Sequence, residues 1–106
     1  MNNRFWRAHD EEIYSMDITP IVARLRAIAN SVNALRELAE STLDEFVSTY
    51  LLQAAAERSF QVAIQAALDI GAILLSEAGA GVPTEYRDIF PSLAEIGVLP
   101  QPVMNP

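Results

Sequence analysis

Residues 51–77 read LLQAAAERSFQVAIQAALDIGAILLSE, and this stretch decides the fold. From Leu43 to Ala78 there is no proline and a single glycine, Gly71. Alanine, leucine and glutamine dominate, and these side chains lose little freedom on entering a helix. Gln53, Glu57, Gln61, Gln65 and Asp69 recur at a spacing of four, which lays a slowly winding polar stripe along one side. Nearly everything else from Ala54 to Leu75 is apolar, so the helix needs cover on more than one side. Ala55, Ala56, Ser59, Ala63, Ala66 and Ala67 would let neighbouring helices come close. The run exceeds the usual globular length of about 8–20 residues, which predicts either one long helix or two collinear ones kinked near Gly71. So much apolar helix surface in one short chain predicts a subunit interface.

Upstream, Thr42 and Glu45 stand in capping-box spacing and mark a helix start. Asp44 and Glu45 also complement the positive end of the helix dipole. Earlier still, Thr19-Pro20 predicts another start, because threonine caps free amides and proline suits the first helical position. Ile21, Leu25, Ile28, Val32, Leu35 and Ala39 then alternate spacings of four and three, one apolar stripe on a helix of roughly five turns. Residues 1–17 mix aromatic, basic and acidic types without a sustained period. They read as an N-terminal arm, docked through Phe5 and Trp6.

Downstream, Gly79-Ala80-Gly81-Val82-Pro83 ends the long helix. A shorter element follows over Glu85 to Ile96, with Tyr86, Ile89, Phe90, Leu93 and Ile96 apolar. Pro91 inside it predicts a second short helix or a kink. Gly97 stops the element, and residues 100–106 read as a C-terminal tail. The expected architecture is all-α, an antiparallel up-and-down bundle occupying residues 18–99.

Composition narrows the function classes. A chain of 106 residues makes one domain, and 51% hydrophobic residues exclude a disordered one. With no cysteine and one histidine, disulfides and thiolate or histidine-cluster metal sites are excluded. Arg4, Arg7 and Asp10 to Glu12 interrupt any secretory pattern at the N-terminus. The most apolar stretch, Val62 to Leu75, is shorter than the ~20 residues of a membrane span. A cytoplasmic protein with no membrane association is expected. The net charge of −7 lacks the basic footprint of a nucleic-acid binder and fits either a solvated protein or a partner for something basic.

The stretch from Phe46 to Leu99 resembles the HepT-like ribonuclease domain of the HEPN superfamily. The resemblance rests on LLQAAAERSFQVAIQAALDIGAILLSE at 51–77, PTEYRDIF at 83–90 and LAEIGVLP at 93–100, with a weaker match in the first helix. It implies a dimeric helical bundle that cleaves RNA without metal in a cleft between protomers. It also implies a toxin–antitoxin pair, with a minimal nucleotidyltransferase antitoxin (MntA-like) as partner. In the family the chemistry sits on a last helix, in an Arg-x(4–6)-His motif with a tyrosine two residues beyond, to which the partner attaches AMP. Histidine there would serve as general base or acid and arginine would stabilise phosphate charge.

The sequence reaches Pro106 without that helix, so the bundle is expected to lack its last member. We therefore expect no catalytic, cofactor-binding or metal residue in these 106 residues, and a homodimeric scaffold inactive toward RNA. A non-catalytic dimerisation or antitoxin-binding module is the alternative. A helical adaptor unrelated to toxins is a third reading.

Individual residues carry weaker signals. Arg4-Phe5-Trp6-Arg7-Ala8-His9 satisfies Arg-x4-His, but at the opposite end of the chain and with Glu11 where tyrosine is expected. The simpler reading is an exposed arm. Arg58 and Asp69 lie ~16 Å apart along a helix axis and cannot pair within it. A buried charge needs a partner, so each is expected to meet another helix or another subunit. The stripe through Gln61 and Gln65 reads as a solvated seam, and Tyr50, Tyr86 and Phe90 as core or interface anchors.

Overall fold

The computed structural model describes residues 16–100 of the chain, and among these every regular element is helical. Four α-helices occur: α1 (Thr19–Leu38), α2 (Leu43–Ser48), α3 (Tyr50–Glu77) and α4 (Ile89–Glu95), with a 3-10 turn at Tyr86–Asp88 before α4. The expected all-α class therefore holds. The chain divides into two compact units, one spanning Thr19–Ala67 and the other containing Leu68 onward, and α3 contributes residues to both.

In the first unit, α1 begins at Thr19, one residue before the start that a Thr19 cap would give. The Arg24 guanidinium donates to the Pro20 carbonyl at 3.1 Å, tying down the first turn. Four residues of the apolar stripe, Ile21, Ile28, Val32 and Leu35, are half-buried, and the inward side of α1 also takes in smaller residues. Ser31 is its buried residue, flanked by half-buried Ala27, Ala34, Leu35 and Leu38, while Leu25 is 52% exposed. Small side chains permit the closest approach of another element, so size as well as apolarity selected the face.

The stretch expected to be one helix from Leu43 breaks at Thr49, not near Gly71. The capping box at the start of α2 forms as spaced: the Glu45 amide donates to Thr42 Oγ1 at 3.1 Å, and Glu45 Oε1 accepts from the Thr42 amide at 3.0 Å. Six residues later the backbone turns extended at Thr49 (φ −115°, ψ 104°). Two side chains hold the break open. Ser48 Oγ donates to the Asp44 carbonyl at 2.7 Å, a bond that competes with the helical ladder. Gln53 Nε2 donates to the carbonyls of Phe46 (3.1 Å) and Val47 (2.8 Å), satisfying groups that the end of α2 would otherwise leave open. The Leu52 and Gln53 amides then bond the Thr49 carbonyl and start α3.

In the second unit α3 passes straight through Gly71, which is buried. A Cβ there would stand 2.6 Å from Ile89 Cγ2 and 3.2 Å from Leu93 Cδ1. Glycine is present because α4 comes that close. Leu75, Ile89 and Leu93 form the core of this unit, with Leu68, Ala72, Leu74, Ala80, Ile96, Val98 and Leu99 packed around them. Both helix ends that feed this core close alike. Gly79 (φ +73°) and Gly97 (φ +86°) adopt the left-handed conformation, and the Ala80 and Val98 amides reach back to the Leu75 and Leu93 carbonyls at 3.0 and 2.9 Å. Pro91 is the third residue of α4 and does not kink it, because first-turn amides lack helical acceptors in any case.

Candidate functional site

The side chains that could meet a partner gather around the break between α2 and α3. Phe46, Ala56 and Phe60 form a shared wall between two adjoining hollows in the first unit. One, of ≈ 310 Å³, is completed by Leu35, Leu38, Ala39, Ser41, Thr42 and Leu43. The other, of ≈ 500 Å³, is completed by Val47, Gln53 and Glu57. The break creates this groove. If α2 had continued into α3, Phe46 and Gln53, seven residues apart, would have lain on one face of a single rod.

The chain segments that border the groove are rich in acidic residues, and Glu57 lines the groove itself. Glu37, Glu40, Asp44, Glu45 and Glu57 are all exposed, against Arg36 and Arg58 over the same span. The Thr42 amide, and then its side-chain hydroxyl, holds the Glu45 carboxyl below its ordinary value of 4.5, so this charge persists at moderately acid pH. Its walls are uncovered: Leu43, Val47 and Phe60 are 76%, 63% and 56% exposed.

A second feature runs along α3. Beyond Arg58 no charged side chain occurs until Asp69, and Ile64 on that span is 58% exposed. Leu51 near the start of α3 is 75% exposed. The cover on several sides that the sequence demands is therefore not supplied within the described chain. Glu57, Gln61 and Gln65 are exposed, which agrees with a solvated seam, while Gln53 and Asp69 are half-buried. Arg58 is exposed, so the burial argument for a partner does not apply to it. Tyr50 and Tyr86 are also exposed and Phe90 is 39% exposed, so none of the three is a core anchor of this chain.

Arg4 and His9 lie outside the described residues. No group of three or more metal-ligating side chains occurs among the described residues. By length and composition α3 could cross a membrane, a test that buried helices of other proteins also pass. Gln61, Gln65 and Asp69 along its length would each be costly in hydrocarbon.

Nothing in the sequence period announced the groove. Its signal lies in Val47-Ser48-Thr49, where two β-branched residues flank a serine, with Gln53 placed four residues beyond Thr49. A family model, HepT-like, described as "Ribonuclease HepT-like", matches residues 28–105. Comparison with curated proteins gave no match. Comparison with solved structures gave none either.

Proposed function

We propose, from the premise that the chain belongs to the HepT-like ribonuclease family, that it is the helical scaffold of an RNA-cleaving toxin. Two protomers associate through α3, in the antiparallel bundle typical of the family, and a nucleotidyltransferase antitoxin restrains the assembly in the cytoplasm. The observation that carries the self-association is the uncovered apolar surface of α3, led by Leu51 and Ile64. Exposed apolar side chains on a rigid helix cost little to order on binding and gain from burial. The span from Ser59 to Leu68 carries no charge, so a second copy can face it without repulsion despite a net charge of −7.

A non-catalytic dimerisation or antitoxin-binding module is the second reading, and one observation favours it. The 106 residues hold one histidine, His9, and the described residues hold none. Neither the acid–base pair nor the basic surface that RNA cleavage asks for is present in the described residues. On this basis the 106-residue chain is itself inactive toward RNA.

Two measurements test these statements. Purified chain incubated with tRNA is expected to leave it intact; cleavage that His9→Ala abolishes would overturn the inactive reading and move the active site to the N-terminal arm. Light scattering is expected to show a dimer that Ile64→Arg converts to a folded monomer. A wild-type chain that is strictly monomeric at all concentrations would remove the self-association through α3.

A further inference from the structure

We infer that the groove between α2 and α3 receives an amphipathic segment of a partner protein that carries basic residues beside its apolar ones. The geometry points to a segment because the groove has two hollows, ≈ 310 and ≈ 500 Å³, with Phe46, Ala56 and Phe60 common to both. Two adjoining hollows accept two apolar side chains from one stretch of chain, such as an i, i+4 pair on a helix lying in the groove.

Charge decides who the occupant is. Between Leu35 and Phe60 the chain carries five carboxylates, Glu37, Glu40, Asp44, Glu45 and Glu57, and two arginines, Arg36 and Arg58. All seven are exposed, and Glu57 lines the groove itself. A second copy is a poor occupant. A two-fold contact would bring together two copies of a segment that carries five carboxylates and only two arginines. The uncharged span of α3 beyond Phe60 has no such conflict, so the two surfaces are assigned by charge: α3 from Gln61 to Leu68 for a copy of this chain, the α2 groove for something basic. An amphipathic segment with lysines and arginines on its flanks meets both demands, burying its apolar side chains and pairing its charges with the bordering carboxylates. This inference does not depend on RNA cleavage by the assembly.

The bordering carboxylates also make the binding sensitive to salt, because exposed charge pairs are screened beyond ~8 Å at physiological ionic strength. Two labelled synthetic helices serve as probes with the full chain: one of leucines flanked by lysines and arginines, and a twin with glutamates replacing the basic residues. The basic helix is expected to bind, to weaken as salt rises, and to shift the amide resonances of Val47, Ala56 and Glu57. The acidic twin is expected not to bind. The combined exposed changes Glu40→Lys, Asp44→Lys and Glu57→Lys should weaken the basic helix roughly tenfold or more and admit the twin. Val47→Ser should weaken it without changing the salt dependence. Equal binding of both helices, or resonance shifts confined to other residues, would overturn the inference. So would a charge-reversed chain that changes oligomeric state, which would make a second copy the occupant. Contacts of the Trp6 ring with Phe46 or Val47 in the free chain would equally overturn it, by making the chain's own arm the occupant.

Discussion

The two units that share α3 are built from similar residues and bury them very differently. From Leu68 onward, Leu75, Ile89 and Leu93 are 0%, 1% and 3% exposed, and Gly71 lets α4 rest against the helix backbone. Between Thr19 and Ala67 the buried residues are the small Ser31 and Ala66, while Leu25, Leu43, Val47, Leu51, Phe60 and Ile64 stay largely uncovered. Apolar composition is therefore not what separates a core from a contact surface here. The second unit has a short element, α4, whose Ile89 and Leu93 return onto α3. The first has α1 and the six-residue α2, with the chain turning extended at Thr49, and neither helix covers Leu51, Phe60 or Ile64. One end of α3 serves the stability of the chain, and the other leaves Leu51, Phe60 and Ile64 exposed.

Mutations sharpen this contrast. The largest effect is expected from Leu75→Ala, which leaves a cavity in a fully buried site and should cost about 2–5 kcal/mol in chemical denaturation. The matching Leu51→Ala, at an exposed site on the same helix, should stay within roughly 0.5 kcal/mol in the monomer. If the two changes cost the same, the division between the units is wrong. Gly71→Ala comes next. The methyl would meet Ile89 Cγ2, a short branched group in a buried site, and overpacking of this kind costs about 1–3 kcal/mol. The better helix propensity of alanine returns up to ~1 kcal/mol of that. A net loss is expected in thermal melting, and a gain would mean that α4 moves aside freely.

Thr42→Ala is smaller, about 1 kcal/mol, because it removes one reciprocal bond of the capping box while the Thr42 amide still reaches Glu45. Glu45 adds a pH dependence whose sign is fixed. Its folded-state pKa lies below its ordinary value of 4.5, so its contribution is present above that value and is lost as pH falls through the lowered one. Protection of the Thr42 and Glu45 amides, taken relative to their intrinsic exchange rates, should fall over that acid window, and Glu45→Ala should abolish the change. Exchange at Leu75 and Leu93 should stay protected throughout, since the described residues that form that core are all apolar.

The sequence was informative wherever a local rule acted alone. The Thr42–Glu45 box formed as spaced, Gly79 and Gly97 ended their helices, and the long apolar run became a helix of 28 residues. Pro91 was harder to place, because its effect depends on where the helix starts relative to it. The break at Thr49 was missed since the periodic pattern runs across it, and what holds it open is Gln53 bonding backbone several residues away.

Local propensity and spacing thus determined that this chain is helical, where α3 and α4 end, and that α3 carries more apolar surface than a short chain easily hides. Tertiary structure alone decided which of that surface is hidden. Burial depends on whether another element returns to a given face, and the period of a single helix holds no information about that return. The same holds for the groove: its apolar walls and acidic borders come from residues on three helices, brought together by one turn of backbone at Thr49.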